Sequence, residues 1–153
     1  MMTRYVFGAA GSRDRSAWDA AGGGAADIVA AVLRSQGFKN VFTSPPSVRR
    51  CADPIVVTCG GWERFSRQVE EVERGMRHVD VLVCCEDPRD AEATACSAER
   101  DLRRADWTGA TSGWHMRVVS VDTDAPVPRG RDGSGRWLRG FSASLTIARD
   151  FDE

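Results

Sequence analysis

The stretch GRDGSGRWLRGFSASLTIARDFDE, Gly130 to Glu153, closes the chain. Taken in twos, it sends Trp137, Phe141, Ala143, Leu145, Ile147 and Phe151 to one side, with only Arg139 and Arg149 interrupting the apolar row. Leu138, Gly140, Ser142, Ser144, Thr146, Ala148 and Asp150 fall on the other side. A period of two with one apolar side is the pattern of a strand half-buried against a core. Asp132-Gly133 just ahead of it is a turn signal. The longest strand is therefore expected at the end of the chain, entered through a Gly-rich turn. WHMRVVSVDT, residues 114–123, is expected as its partner, and the two form a long C-terminal β-hairpin. DAPVPRGRDGSGR, residues 124–136, is read as the loop between them.

Working upstream, HVDVLVCC (78–85) alternates Val79, Val81, Val83 and Cys85 and predicts a strand. IVVTC (55–59) is β-branched and predicts another, ended by Gly60 and Gly61. FKNVFT (38–43) is a further strand candidate, and SPPSVRRCADP (44–54) is a loop because its prolines forbid regular pairing. A helix is expected from Ala25 to Gln36, with Ile28, Val29, Val32 and Leu33 on one face, Asp27 in the first turn and Gly37 as the stop. The clearest helix follows Asp87. That residue can cap it, Pro88 suits its first position, and Asp90 and Glu92 complement its dipole. Ala91, Ala95, Ala98, Leu102 and Ala105 form its expected buried stripe, and Arg103 and Arg104 lie in the last turn. Residues 62–75 are ambiguous. Phe65, Val69, Val72 and Met76 recur at helical spacing and favour a helix, while Gln68 to Val72 also tolerates a strand.

Strands and long helices do not alternate regularly, so the expected class is α+β: a mainly antiparallel sheet with two or three helices packed on it. Residues 1–24 form an irregular N-terminal segment ending in the joint AAGGGAAD, and residues 25–153 form a single α+β domain. The length of 153 residues fits one domain with a core of its own. The 21 basic and 22 acidic residues give a net charge of −1, which argues against a general nucleic-acid binder. No apolar run is long enough to span a membrane, and the N-terminus lacks the apolar stretch of a secretory signal. Five cysteines, an odd number without a CxxC pair, fit reduced thiols of a cytoplasmic protein.

The chemical motifs are sparse. Gly8 and Gly11 follow a possible strand but lack the third glycine of a dinucleotide fingerprint, and GRDGSGR lacks the Lys-Ser or Lys-Thr of a phosphate loop. The two histidines, His78 and His115, have no HxH or HxxxH neighbour, and no GxSxG is present. No catalytic residue, cofactor or metal is expected. Five tryptophans are many for this length. Core use is the default for them, with Trp62, Trp107 and Trp114 also placed for interface use. Arg129, Arg131, Arg136 and Arg139 surround the last turn and offer a charged contact to a partner subunit.

The runs GGWERFSRQVEEVERGMRHVDVLVCCEDPRDAEATACSAERDLRRADW (60–107) and DTDAPVPRGRDGSGRWLRGFSASLTIARDF (122–151) resemble small phage or prophage proteins of the tail terminator, minor capsid and head–tail joining families. The resemblance covers roughly residues 25–150 and rests on element order, above all on the closing hairpin. It implies a non-enzymatic virion component assembled in the bacterial cytoplasm. It also implies a homo-oligomeric ring, commonly a hexamer, that caps the tail tube and meets the head connector, with no specific nucleic-acid binding. The expected subunit or partner interface is Pro128, Arg129, Arg131, Arg136, Trp137 and Arg139, with the loop Ser44 to Pro54 second. The competing readings are a small cytoplasmic enzyme with a site assembled from scattered Cys and His residues, and a ligand-binding module on an antiparallel sheet.

Overall fold

A computed structural model describes residues 23–67, 72–107 and 116–150. The elements run α1 (Gly23–Ser35), β1 (Val41–Phe42), β2 (Ile55–Arg67), β3 (Val72–Cys85), α2 (Pro88–Arg104), β4 (Met116–Thr123), β5 (Val127–Arg131) and β6 (Trp137–Asp150). One six-stranded sheet has the order β1-β2-β3-β6-β4, and β5 also pairs with β6. Only the two-residue β1 is parallel to its neighbour; every other pairing is antiparallel. This is the expected α+β class with its C-terminal hairpin.

β6 is central. β3 pairs with its whole length, from Cys85 beside Trp137 to Val72 beside Asp150. On its other side β4 takes Ala143 to Arg149 and β5 takes Trp137 to Gly140. The chain steps from β4 to β5 through Asp124, whose N–H donates to the Ser142 carbonyl and whose carboxylate accepts from the Ser142 N–H. Part of the expected loop 124–136 is thus strand. The apolar row of β6 sets which side is buried: Phe141, Ala143, Leu145 and Ile147 all lie in the core, joined by Val79, Val81 and Val83 of β3 and by Ile55 and Val57 of β2.

Both helices cover that one face. α1 presents Ile28, Val29, Val32 and Leu33, all buried. It ends in a Schellman motif: the Phe38 N–H donates to the Leu33 carbonyl and the Gly37 N–H to that of Arg34, with Gly37 at φ +105°. The helix begins at Gly23, inside the expected flexible joint; the rest of the expected irregular segment lies outside the described residues. The earlier start moves Asp27 out of the first turn, and burial pushes its carboxyl up, with Arg34 partly offsetting that rise. In α2, Asp87 caps the helix by accepting from the Arg89 N–H at 2.8 Å, an arrangement worth about 1 kcal/mol. Ala91, Ala95, Ala98 and Leu102 are buried as expected, and the half-buried Ala105 forms the C-cap. Trp107 belongs to the core, its indole N–H donating to the Leu102 carbonyl. Trp18 and Trp114 lie outside the described residues.

Residues 62–75 overturn the helix expectation. Trp62 to Arg67 continue β2, Val72 to Gly75 open β3, and residues 68–71 lie outside the described part. The backbone of β6 from Ile147 to Asp150 takes its β3 partners from this segment, and such long-range pairing overrides a local period. The strand signal is concealed because β2 carries two bulges, at Gly60–Gly61 and at Phe65, each adding a residue that breaks the period of two. The glycines that were expected to end β2 instead allow its bulge: a Cβ on Gly60 would meet the His78 carbonyl oxygen at 3.1 Å. FKNVFT yields only the two residues of β1.

The wholly buried alanines let α2 lie close on the sheet. Ala95→Leu is expected to cost about 1–3 kcal/mol of unfolding free energy in urea titration, whereas Cys96→Ala next to it, on the exposed side, stays within about 0.5 kcal/mol. α2 is also tied to β4 through Glu99, which accepts from the Thr123 hydroxyl and from Arg103 Nε at 2.8 Å. The Arg103 contact, together with Thr123, holds the Glu99 carboxyl below its ordinary 4.5. A depressed carboxylate stabilises the fold above its unfolded value, and that contribution is lost as pH falls through the lower folded value. Glu99→Gln should therefore lower the urea midpoint at pH 7, with the difference from the unmodified protein shrinking as pH drops below 4.5.

Candidate functional site

The turn between β5 and β6 is organised by one carboxylate. Asp132 Oδ1 accepts from the N–H groups of Ser134 and Arg136 at 3.0 and 2.9 Å, and Oδ2 accepts from Arg136 Nε at 2.8 Å. The Asp132 N–H donates to the Arg136 carbonyl, and the Gly135 N–H to the Asp132 carbonyl. Gly135 sits at φ +83°, a conformation that favours glycine. These donors, the Arg136 N–H first, hold the Asp132 carboxyl below its ordinary range. Arg136 then reaches out of the turn, donating from one terminal nitrogen to the carbonyls of Cys51 and Ala52 at 3.3 and 3.4 Å. The two segments expected as contact regions, the β5–β6 hairpin and the loop 44–54, are thus one continuous surface.

The six expected interface residues all lie on this ribbon and play different parts. Arg131 stacks its guanidinium 4.7 Å above the Trp137 ring and donates to the Gly135 carbonyl at 3.2 and 3.1 Å. Pro128 faces Arg139 in register. Arg129 lies across Gly140, where a Cβ would meet its Nε at 3.3 Å and the Val81 carbonyl at 3.2 Å. Pro128, Arg129 and Arg131 are exposed, while Trp137 and Arg139 are half-buried. Arg136 is committed inside the subunit and only 12% exposed, so it positions the surface and does not project from it. The sequence reading missed Asp132 as organiser and the Cys51 and Ala52 carbonyls as anchors. The local Asp-x-x-x-Arg spacing is in the sequence, but the carbonyls come from 84 and 85 residues away.

Among the described residues, the Cys and His side chains form no cluster of three or more potential metal ligands. Cys59, Cys84 and Cys85 all have thiols pushed up by burial, Cys85 to about 11, which disfavours the thiolate at each. Cys85 lines an open groove of about 510 Å³ together with Asp53, Glu86, Asp87 and Asp90, and the charges of Asp53, Asp90 and Asp87 disfavour a thiolate further. His78 Nδ1 pairs with the Ser144 hydroxyl at 3.0 Å on the sheet face away from the helices, the face opposite to that of Cys59, which packs on the helix side. His115 lies outside the described residues. Among the described residues no helix is long and apolar enough to cross a membrane.

No family model and no curated protein sequence matches this chain. Among solved structures, a chain of the virion of a native gene transfer agent (GTA) particle is similar to it, with a TM-score of 0.57 and 15% identity. The likeness covers 85% of this chain and 97% of that one. Identity at this level shows a shared fold.

The Arg136 anchor makes a local prediction. Arg136→Ala should speed amide exchange at Ser134 and Gly135 roughly five- to tenfold, the factor equivalent to about one lost net hydrogen bond, and open loop 47–52 to limited proteolysis. Exchange in β3 should be unchanged.

Proposed function

We propose that this chain is a non-enzymatic structural subunit of a phage-like virion, acting as a tail terminator or head–tail joining protein. The observation that carries the reading is the fold shared with a virion chain over 97% of that chain. The closing hairpin, the element on which the sequence resemblance rests, supports it further: it is built as a rigid surface of exposed arginines beside a stacked tryptophan. Arg and Trp are the side chains that dominate contacts at protein interfaces. In this reading, copies assemble in the bacterial cytoplasm into a closed ring, six being the expected number, through heterologous contacts. The ring caps the tail tube and presents its other side to the head connector. The ribbon of Pro128, Arg129, Arg131, Trp137 and Arg139, held by Arg136, is the partner contact.

Native mass spectrometry across a concentration series, with negative-stain images of the same sample, tests this. Closed rings are expected, and a strict monomer at every concentration would count against the reading. Trp137→Ala with Arg139→Ala should weaken attachment to tail tubes at least about thirtyfold, equivalent to one hot-spot contact, with circular dichroism unchanged. Unchanged attachment would remove this ribbon as the contact.

A further inference from the structure

We infer that copies of this chain join edge to edge, the outer side of β4 pairing antiparallel with the outer side of β2 in the next copy. This rests on the ring reading above and specifies its joint. At one end of the sheet both edges are guarded by short outer strands. β1 lies along Ile55 and Val56 of β2, and β5 lies along Trp137 to Gly140 of β6. Five of the six prolines, Pro45, Pro46, Pro54, Pro126 and Pro128, sit in the loops and edge strand of this end, and the sixth opens α2. Short edge strands and prolines are the usual guards against unwanted pairing.

Among the described residues the other end carries no such guard. Among the described residues no strand pairs with β2 beyond Val56, or with β4 on the side away from β6. Neither stretch contains a proline. The two open edges also match in level. Cys59, Val79, Ala143 and Thr123 form one row across the four strands; Glu63, Met76, Thr146 and Ser120 form another; Arg67, Glu73, Arg149 and Met116 a third. Strand direction alternates across the row, β2 and β6 one way, β3 and β4 the other. A copy placed beside β4 with its β2 outward edge continues that alternation without a break and keeps the helices on one side.

A two-fold β4–β4 joint would leave both β2 edges open, and a β2–β2 joint both β4 edges. The β4–β2 joint fills both edges with one kind of contact, which is what a closed cycle requires. The bulges at Gly60–Gly61, Phe65 and Val119 bend and twist these edge strands, as a sheet that closes on itself needs. Val119, at the β4 bulge, keeps 45% of its surface exposed in the single copy.

Thr58 and Asp122 test the joint. Both are exposed, and both lie on the face away from the helices, through their partners Asp80 and Ser144. Thr58→Cys and Asp122→Cys are combined in a Cys96→Ser background, which removes the exposed native thiol. The protein is treated with short and long bis-maleimides and run on denaturing gels. The expected result is a ladder whose top rung equals the copy number from native mass spectrometry, while each single variant gives only the background monomer band. Rings by mass spectrometry without a ladder overturn this joint and leave the ring reading standing. A dimer from Asp122→Cys alone assigns a two-fold β4–β4 contact and also overturns it. Absence of any oligomer overturns both.

Discussion

The pairing of β6 on both of its sides is the constraint on which the rest of the structure depends. Every other strand except β1 and β2 touches it, and β2 is positioned through β3. Because Phe141, Ala143, Leu145 and Ile147 alternate with Ser142, Ser144 and Thr146, a slip of one residue would turn the entire apolar row away from the helices. The register is therefore fixed by burial, and β3, β4 and β5 inherit it. The two helices then need only small or branched apolar side chains to cover the face. α1 supplies Ile, Val and Leu, and α2 supplies alanines that bring its axis close.

The parts of this fold legible in the sequence are those where one local rule acts alone. The alternation of β6 and of Val79 to Cys85 survives intact because no bulge interrupts either run. The capping of α2 by Asp87 and the stop of α1 at Gly37 are local hydrogen-bond and φ requirements, and both are visible in single residues. Residues 62–75 were misread for an equally physical reason. Two bulges erase the period of two in β2, and the four apolar residues left at spacings near four imitate a helix. The partner that makes a strand of this segment, the far half of β6, lies some seventy residues away. β5 was missed because two prolines hide a strand that pairs through only one edge.

The candidate surface was half legible. Its arginines and Trp137 stood out by type and by their crowding around a turn. What holds them in place did not. Asp132 reads as an ordinary turn residue until its two oxygens are seen to take three donors. The carbonyls of Cys51 and Ala52 have no sequence signal at all, since any residue supplies a carbonyl. Their contact to Arg136 nonetheless unites two loops that would otherwise move separately, and a surface that is ordered before binding loses less entropy when it docks.

The sheet thus has two ends with different physics. At one, prolines and two short outer strands guard the hydrogen-bonding edges and leave side chains as the means of contact. At the other, no strand among the described residues covers the edges, which leaves them open to backbone pairing. A lone soluble domain gains nothing from guarding one end and leaving the other bare, because an open edge is an aggregation hazard wherever it lies. The asymmetry has a purpose if the bare end is where copies meet and the guarded end is where something different must be recognised. Backbone pairing suits the first task, since identical copies repeat one geometry. Rigid Arg and Trp side chains suit the second, since recognition of an unlike partner depends on side-chain chemistry.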